Sequence, residues 1–490
     1  MWRYRKRAYL PMNTSRPEDL FDRNGEWGAL ESLWQKRRPD LVFVVGRRRA
    51  GKSYLLTRFT QQVGGIYYQA TRRTEAEQLA SLTRVIGAHF GDPALQHGIA
   101  FPSWEDLFGY VTQRADGNPF LFVLDEFPYL AAAAPALTSI IQSLWDHAWP
   151  KTRMKVVLSG SYITAMNRLE EVDQPLYGRR TAKLMVGPFT FADAALFMSG
   201  YDVREQMIAY GLFGHLPGHL SLIDPARPLA QNVGEALLSP SGRLADEAQR
   251  MLDAFAVDAH VHYSIIEAIA GGEQTWGGIT KRIGRAGGAL GRPLLWLEEM
   301  QVIARVVPLT EKNPQRSKRA LYRIIDPYVA FWHRTVARLV NAGSLGLVEP
   351  ERLWEEVVVP DLDDYMGPVF EEMCRDFVRR CDRLPFKPVR VGEWWDASST
   401  NQVDVVAVGA RGHLLVGECK WGPVTGEHLA TLRRRAQLLA AELPGVLRVH
   451  TALFTGRSEA DDEVAREAEA GTTLLFTADD LRGGAQPAAS

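Results

Sequence analysis

Residues 41–55 read LVFVVGRRRAGKSYL, an apolar run that ends in Gly46 and continues through Gly51-Lys52-Ser53. The run before Gly46 has the composition of a buried strand, and the residues after Ser53 have the spacing of an amphipathic helix. Two glycines followed by Lys and Ser, set between a strand and a helix, form the pattern of a phosphate-binding loop. The alternative, a glycine-rich turn before a core helix, is disfavoured by these flanking elements.

The residue types in this loop match the chemistry of a bound polyphosphate. Glycine lets the backbone turn tightly, so that N–H groups and the positive end of the next helix point at the anion. Lys52 is expected to reach the outer phosphates of ATP, and the Ser53 hydroxyl is expected to bind Mg²⁺. Three arginines add attraction for phosphate without being required. The predicted nucleotide contacts in the loop are Gly46, Arg47, Arg48, Arg49, Ala50, Gly51, Lys52, Ser53 and Tyr54.

A second apolar run, FLFVLDE at residues 120–126, ends in two carboxylates. This pattern predicts a central parallel strand whose carboxyl end delivers Asp125 to the Mg²⁺ shell and Glu126 to the attacking water. A buried strand that merely ends in a solvated acidic turn is the alternative. The position of this strand after a phosphate loop favours the catalytic interpretation.

Two further segments are candidates for contact with the γ-phosphate. A strand at 155–158 runs into Ser159-Gly160-Ser161, where Ser159 is expected to hold the phosphate or its water, although Ser-Gly-Ser is also an ordinary turn. Arg179 or Arg180 would stabilise transition-state charge, within its own chain or on a neighbouring copy. A salt-bridged surface turn explains the two arginines equally well.

The middle of the chain changes from alternating strands and helices to a helical pattern. Residues 191–244 read as a helical lid with a proline-punctuated linker, and residues 245–338 as three helices and a hairpin, which is the order of a winged helix-turn-helix. Residues 281–323 hold ten Lys or Arg against three Glu. This local excess favours contact with duplex DNA, and packing of the hairpin against a partner domain is the alternative.

A third group of charged residues lies near the C-terminus. Asp404, in QVDVVAV, and Glu418 and Lys420, in LLVGECKW, are predicted to lie on two strands of one hairpin. Two carboxylates and a lysine on one face would bind Mg²⁺ or Mn²⁺ and act on a phosphodiester, with Glu371, in preference to Glu372, completing the metal shell. An edge hairpin with a charged outer face is the alternative, which the apolar surroundings of these charges disfavour.

The motifs GRRRAGKS, LFVLDEF, LSGS and LYGRRTAKL, followed by FEE, QVD and ECK, resemble the archaeal-type P-loop ATPase family, which also occurs in bacteria. Its ATPase core is similar to the STAND and AAA+ branches, and its C-terminal domain resembles PD-(D/E)xK nucleases. The resemblance implies that Asp125 and Glu126 form the Walker B pair and that Asp404, Glu418 and Lys420 form a nuclease core. The sequence departs from the family's pattern at two places, the Leu-Pro-Gly-His stretch at 216–219 and the proline-free residues before Asp404. Neither departure removes a catalytic group.

The expected fold class is α/β, with a parallel-sheet P-loop NTPase core, a winged helix-turn-helix and a restriction-endonuclease-like C-terminal domain. A chain of 490 residues is too long for one core. The predicted segments are a lead at 1–20, an ATPase core at 21–190, a lid and linker at 191–244, a winged helix at 245–338, a linker at 339–361, a nuclease-like domain at 362–480 and a flexible tail at 481–490.

Bulk composition adds weaker expectations. The net charge of −1 gives no evidence for nucleic acid, and three cysteines without a C-x-x-C pair favour a reduced, cytoplasmic protein without a disulfide framework or structural zinc. No signal peptide or long apolar run is present, so no membrane partner is expected. Two functions remain open, either alone or as a homo-oligomer: an ATP-controlled nuclease, or an ATP-dependent STAND-like switch whose C-terminal domain does not cleave.

Overall fold

A parallel β-sheet organises the first of two units, Met1–Gly187 and Pro188–Ser490, in the computed structural model. The structure describes residues 16–17, 20–115, 117–255, 259–285 and 287–483. Most of the predicted lead at 1–20 and of the predicted tail at 481–490 lies outside these residues. The same holds for residues 256–258, within the segment predicted to be a winged helix.

The first unit holds five strands in the order β2-β3-β4-β1-β5, and all neighbouring pairs are parallel. All six residues of β1 are buried, as its continuous apolar sequence predicts. Val45 pairs with Gly160, so the ends of β1 and β4 meet at one edge of the sheet. The strands are β1 (Asp40–Val45), β2 (Gly65–Gln69), β3 (Pro119–Asp125), β4 (Arg153–Gly160) and β5 (Ala182–Met185).

Helices connect these strands, and the predicted parallel α/β core is confirmed. The phosphate loop at 46–51 joins β1 directly to a helix that begins at Lys52. The helices of this unit are α1 (Asn24–Gln35), α2 (Lys52–Val63), α3 (Glu75–Phe90), α4 (Pro93–His97), α5 (Trp104–Ala115), α6 (Phe127–Ala133), α7 (Leu137–Ser143) and α8 (Ile163–Arg168).

The second unit begins with helices. The predicted lid is helical from its start, and a capping box of Asp202 and Glu205 begins a further helix at Val203. The stretch expected to be a linker before residue 244 also holds a helix with a buried apolar face. The helices up to residue 299 are α9 (Phe191–Ala195), α10 (Val203–Phe213), α11 (Pro217–Leu220), α12 (Leu229–Leu237), α13 (Glu247–Phe255), α14 (Ala259–Ala270), α15 (Trp276–Ile283) and α16 (Gly291–Glu299).

An antiparallel hairpin of β6 (Ile303–Val306) and β7 (Leu321–Ile324) follows α16. Helices and hairpin therefore occur in the predicted order, while their identity as a winged helix stays a prediction. The next helices are α17 (Pro327–Phe331), α18 (Ala337–Asn341), α19 (Pro350–Leu353) and α20 (Val359–Arg380).

The stretch expected to be a linker at 339–361 is mostly helical, and its role as a linker stays a prediction. Helix α20 has 22 residues and continues through Pro368, a residue that ordinarily ends a helix. Tyr365, Met366 and Phe370 are buried on both sides of this proline, so tertiary packing outweighs its local cost.

A mixed sheet forms the C-terminal part of the second unit, with the strand order β12-β11-β10-β9-β8. The β8-β9 and β9-β10 pairs are antiparallel, whereas β10-β11 and β11-β12 are parallel. The last elements are β8 (Pro388–Trp395), β9 (Gln402–Gly409), β10 (His413–Lys420), α21 (Gly426–Glu442), β11 (Arg448–Thr455), α22 (Asp462–Glu469), β12 (Leu474–Phe476) and α23 (Ala478–Gly483).

Within the described residues, no single helix has the length and apolar composition needed to cross a bilayer. One pair, Phe127–Ala133 with Leu137–Lys151, meets that criterion jointly but is bent by 106°.

Candidate functional site

The phosphate loop closes around the side chain of Lys52. Its Nζ donates to the carbonyl oxygens of Gly46 at 2.7 Å and Arg47 at 2.9 Å, and to Oγ of Ser161 at 3.0 Å. A Cβ on Gly46 would lie 2.2 Å from the carbonyl oxygen of Val186, and Gly51 has a φ of 90°. Both positions therefore require glycine, and the loop surrounds a cation where a phosphate would be bound.

Burial makes Lys52 the most perturbed group of the loop. Desolvation lowers the pKa of Lys52 to about 8, while the negative charges of Glu126 and Asp125 act in the opposite direction. Only 3% of its surface is exposed. A buried ammonium that donates only to neutral oxygens gains more from a polyanion than an exposed lysine does.

The two nucleotide motifs are joined by a hydrogen bond between Ser53 and Asp125. The Ser53 hydroxyl donates to Oδ2 of Asp125 at 2.6 Å, and Tyr67 donates to the same oxygen at 2.6 Å. Burial, with the charge of Asp125 next, raises the pKa of the Tyr67 phenol, so it stays a donor. A hydroxyl and a carboxylate brought together in this way are oxygen ligands of the kind Mg²⁺ prefers.

Glu126 is placed directly after β3 in a left-handed backbone conformation, with φ of 51°. Its carboxylate accepts hydrogen bonds from the backbone N–H of Ser161 at 3.2 Å and from the Ser161 hydroxyl. A residue other than glycine in this conformation is strained, and such strain is concentrated at functional sites. Ser161 therefore links Glu126 to Lys52.

Ser159, the predicted phosphate contact, lies inside β4 instead. It is fully buried, and its Oγ has no hydrogen-bond partner in the described part of the chain. The hydroxyl that contacts Lys52 and Glu126 belongs to Ser161, which lies just past the end of β4. A phosphate contact by Ser159 therefore stays a prediction, and Ser161 is the serine that the structure brings to Lys52.

The variable loop residues differ in exposure. Arg47 is buried with Ala50, Arg48 is exposed, and Arg49 has a left-handed φ of 68°. The ring of Tyr54 is exposed beside the Arg58 guanidinium, 5.1 Å from it. Of the predicted loop contacts, Arg48 and Tyr54 are thus the ones that face solvent.

Both candidate finger arginines are engaged in ion pairs. Arg179 donates to Asp146 through Nη2 at 2.8 Å and Nε at 3.0 Å. Arg180 pairs with Glu170, which also holds Lys183 at 2.9 Å. These contacts match the salt-bridged turn that was the alternative from sequence. Either arginine would have to leave its carboxylate to reach a nucleotide.

Asp404 and Glu418 lie next to each other on β9 and β10, as predicted. Gly417 pairs with Val405, which places Glu418 at the level of Asp404. The backbone N–H of Cys419 donates to Oδ2 of Asp404 at 2.8 Å. Lys420 donates to Oε1 of Glu418 at 2.8 Å, so the predicted trio shares one end of the hairpin.

Two charged residues outside this trio, Glu371 and Arg435, also act on its carboxylates. Burial, followed by the charges of Glu371 and Glu418, raises the pKa of Asp404 to about 7. Arg435 of α21 donates to Oε2 of Glu418 at 2.7 Å. Among the described residues, no three His, Cys, Asp or Glu side chains are placed to hold a metal ion. The carboxylates thus have suitable chemistry, but this arrangement does not fit a metal.

The basic hairpin divides into bound and exposed cations. Arg323 pairs with Glu393 of β8 at 2.8 Å, and Arg319 donates to the carbonyl oxygen of Trp395. Leu309, which follows β6, belongs to the apolar core of the C-terminal sheet. One part of the hairpin therefore packs against β8, while another presents exposed cations. Those cations are Lys312, Arg316 and Lys318.

Sequence reasoning missed three residues that the structure brings to the two sites. Tyr67 reaches the first site from the middle of β2, Ser161 reaches it from just after β4, and Arg435 reaches the second site from α21. Ser161 follows β4, the strand beside the loop strand β1, and this position is itself a signal for that residue. Nothing in the local sequence distinguishes Arg435 from Arg433 and Arg434.

Comparison with known proteins identifies two regions. Residues 20–222 match the model of an ATPase domain predominantly from Archaea, and residues 332–431 match a family described as archaeal and bacterial proteins of unknown function. An uncharacterized protein of Methanocaldococcus jannaschii is 27% identical over 405 residues, which cover 82% of this chain and 87% of that protein. The resemblance of residues 20–222 to archaeal-type ATPases is thereby confirmed, and the likeness of the C-terminal domain to PD-(D/E)xK nucleases stays a prediction.

A solved structure has the same core fold. A Walker-type ATPase of Pyrococcus abyssi aligns with a TM-score of 0.51 and 22% identity, covering 65% of this chain and 97% of that one. At this identity the likeness concerns the fold alone.

Proposed function

We propose that this chain binds and hydrolyses ATP with Mg²⁺ at the loop of Lys52, since residues 20–222 match the model of an ATPase domain predominantly from Archaea. The observation that carries the proposal is the 2.6 Å hydrogen bond between Ser53 and Asp125, which joins the two motifs. Lys52 would exchange the carbonyl oxygens of the loop for phosphate oxygens. Glu126 would orient the attacking water.

The residues at this site fit Mg²⁺. Ser53 and Asp125 would hold it, since one hydroxyl and one carboxylate leave room for phosphate oxygens and water in its shell. When bound, the ion would neutralise charge on the outer phosphates. Tyr67 would keep Asp125 oriented through its own hydrogen bond to Oδ2. The chain's contribution is therefore a prearranged set of donors and acceptors.

Two variants test this assignment on the full chain. Lys52→Ala should lose tight ATP binding, because it removes the charge that faces the phosphates. Glu126→Gln should bind ATP like wild type but lose at least about a hundredfold in turnover, since it acts on the attacking water alone. Calorimetric titration and phosphate release measure the two quantities. Both variants binding and turning over normally would disprove the site.

For the second unit, the proposal is that nucleotide state controls nucleic-acid binding and phosphodiester cleavage. Its support is the grouping of Asp404, Glu418 and Lys420 at one end of the hairpin, with exposed cations elsewhere in the same unit. Duplex DNA is the preferred partner, because the exposed cations lie on a hairpin of the type that contacts its backbone. The three cysteines of the chain are free, which suits the cytoplasm, where thiols stay reduced.

The engaged state of Glu418 favours a second candidate. With both of its oxygens bound to cations, the C-terminal sheet suits a scaffold in an ATP-dependent switch that binds nucleic acid or assembles copies of the chain without cutting. Incubation of the protein with plasmid, linear duplex, single strand and RNA separates the two. Each nucleic acid is incubated with and without ATP, and with and without Mg²⁺ or Mn²⁺. Divalent-dependent products support the nuclease, and intact substrates under every condition support the switch.

A further inference from the structure

A cavity of about 730 Å³ lies within the second unit, between helix α20, helix α17, the β6-β7 hairpin and strand β8. Protein interiors are close-packed and contain few voids larger than a water molecule. A space of this volume equals roughly twenty-five molecules of liquid water, and it falls within the range of about 300–1,000 Å³ that is typical of small-molecule sites. The cavity is therefore large enough to hold a ligand.

Helix α20 runs along the cavity and gives it two different ends. Tyr365, Pro368 and Val369 form an apolar end. The Tyr365 hydroxyl donates to the carbonyl oxygen of Pro327 at 2.7 Å, so α17 borders this end too. The charged residues that line the cavity further along the helix are Glu372, Arg375, Asp376 and Arg379. Positions three or four apart share one helix face, and the rise from Tyr365 to Arg379 is about 20 Å, so the cavity is elongated, with an apolar and a charged end.

The lining of the cavity contains more positive than negative charge. Six arginines and three carboxylates line it, and each carboxylate is paired with one of these arginines. The pairs are Glu372 with Arg375 at 2.8 Å, Glu393 with Arg323 at 2.8 Å, and Asp376 with Arg379. A fourth arginine, Arg334, pairs with Asp361 outside the lining at 2.6 Å. A cation in the cavity would have to displace an arginine from its partner, whereas an anion meets an excess of positive charge.

The other two arginines of the lining, Arg305 and Arg390, are held by backbone carbonyl oxygens. Arg305 donates to those of Pro314 at 2.7 Å and Ser317 at 3.0 Å, and Arg390 donates to that of Leu309 at 2.9 Å. Within the described residues, neither arginine forms an ion pair. A carbonyl group carries no net charge, and a guanidinium has five N–H donors that match the oxygens of an anionic group in pairs. Arg390, which is exposed on β8, therefore keeps its full charge for a ligand.

We propose that this cavity binds a small amphipathic anion. The apolar body of the ligand lies at the Tyr365 end, and its sulfonate, phosphate or carboxylate group is held by arginines of the lining, Arg390 among them. This site is separate from the loop of Lys52 and from the Asp404 hairpin, so it depends neither on ATP hydrolysis nor on cleavage of nucleic acid.

Two fluorescent probes with the same aromatic body test the charge requirement on the full chain. One is 8-anilinonaphthalene-1-sulfonate, and the other is N-phenyl-1-naphthylamine, which lacks the sulfonate. Wild type should bind the sulfonate at least about tenfold more tightly than the neutral probe, because only the sulfonate gains charge-assisted hydrogen bonds. Arg390→Gln should weaken sulfonate binding about tenfold and leave the neutral probe unchanged. The matched control is Arg448→Gln, at an exposed position on β11 outside the lining, and it should bind both probes like wild type.

Filling the cavity tests whether the probes bind there. Ala330→Phe adds a ring from α17 and Val391→Phe enlarges a side chain on β8, so the two variants reduce the space from different walls. Each should weaken binding of the sulfonate at least about tenfold. Ala410→Phe, at an exposed position outside the lining, is the matched control and should bind like wild type. Circular dichroism and melting temperature identify a variant that does not fold, and the other filling variant then decides the test.

The titrations are made with and without ATP and Mg²⁺, which separates this cavity from the nucleotide site. Sulfonate binding that is unaffected by ATP, selective over the neutral probe and lost in the filling variants supports the proposal, whether or not the chain hydrolyses ATP. Displacement by ATP, or binding that survives in a folded filling variant, would overturn it, because the probe would then lie elsewhere. Equal affinity for the two probes, or no sulfonate binding by wild type, would overturn it as well.

Discussion

The hydroxyl of Ser161 accepts a 3.0 Å hydrogen bond from Nζ of Lys52. The same hydroxyl donates to Glu126, so one serine after β4 connects the lysine of the loop to the carboxylate that follows β3. Binding of a phosphate would separate this contact, because Lys52 would turn to the phosphate and leave Ser161 to Glu126 alone. Ser161 is thus placed to hold Glu126 in position for the attacking water.

Ser161→Ala should therefore impair hydrolysis more than binding. Glu126 would lose a hydrogen bond to a charged group, worth about 1.5–3 kcal/mol, which corresponds to a roughly ten- to hundredfold lower kcat. The dissociation constant for ATP should change by less than about threefold, since Lys52 keeps its charge. Steady-state phosphate release and calorimetric titration measure the two effects.

Ser159→Ala is the matched control for this prediction. The Ser159 hydroxyl is buried inside β4 and unpartnered in the described residues, so its removal should leave kcat within about twofold of wild type. If Ser159→Ala lowers kcat as much as Ser161→Ala does, the side-chain placement described above is wrong.

The exposed part of the hairpin gives the second prediction. Replacing Lys312, Arg316 and Lys318 by Gln should weaken duplex DNA binding and lower the log–log salt slope by up to about 0.9 for each lost phosphate contact. Arg319 and Arg323 stay unchanged in this test, because their guanidinium groups hold β8 and their loss would perturb packing. Fluorescence anisotropy at several salt concentrations measures the slope.

A charge-matched control keeps the result specific. It replaces three exposed arginines elsewhere in the chain by Gln, namely Arg352, Arg466 and Arg482. This control should retain the wild-type slope. Equal slopes for all three proteins would assign the hairpin to interdomain packing, the alternative that the contacts of Arg319 and Arg323 already support in part.

The features that the sequence predicted best are those carried by contiguous residues. The loop from Gly46 to Ser53 and the strand ending at Asp125 can each be recognised within one short stretch of sequence. In each, an apolar run leads directly into the residues expected to contact the nucleotide, so local patterns suffice to place them. The pairing of Asp404 with Glu418 also follows from a local signal, because a short turn joins their two strands. The order of the strands in the sheets and the hydrogen-bond partners of the site residues cannot be predicted from such local signals.

What the sequence did not predict depends on contacts between distant residues. Ser161 meets Lys52 across 109 positions, and only the order of β1 and β4 in the sheet brings them together. Pro368 is a helix breaker by its local preference, yet the buried residues around it keep α20 continuous. Propensity and spacing contain neither kind of information.

A third prediction concerns a histidine buried in the second unit. Burial lowers the pKa of His333 to about 4, and its ring lies 4.9 Å from those of Tyr263 and Trp332. The neutral ring is retained in the folded state, whereas the unfolded chain takes up a proton below its usual pKa of 6.5. Stability should therefore fall as the pH drops from about 6.5 to about 4, by about 3 kcal/mol in all.

The variant His333→Leu should remove this contribution. Its melting temperature should decline less steeply than that of wild type between these two pH values, whatever its stability at neutral pH. His147→Gln, at an exposed position, is the control and should follow wild type. Parallel pH profiles for all three proteins would show that His333 does not titrate in this way.

The last prediction addresses the coupling of the two sites. If the second unit cleaves phosphodiesters as proposed, Asp404→Ala and Glu418→Ala should each lower that cleavage by at least about a hundredfold, as expected for the loss of a carboxylate at the reacting centre. ATP hydrolysis should remain within about twofold of wild type, because Lys52 and Asp404 belong to different units of the structure. Gel-resolved cleavage and phosphate release are measured on the same preparations.

If the two sites are coupled, a change at the ATP site should also change the rate of cleavage by the second unit. Glu126→Gln should hold the protein in its ATP state, and if that state controls the second unit, the cleavage rate should change although Asp404 and Glu418 are intact. Lys52→Ala, which never reaches the ATP state, should shift the rate in the opposite direction. A cleavage rate that is the same in both variants and in wild type would mean that the ATPase and the nuclease share a chain without controlling each other.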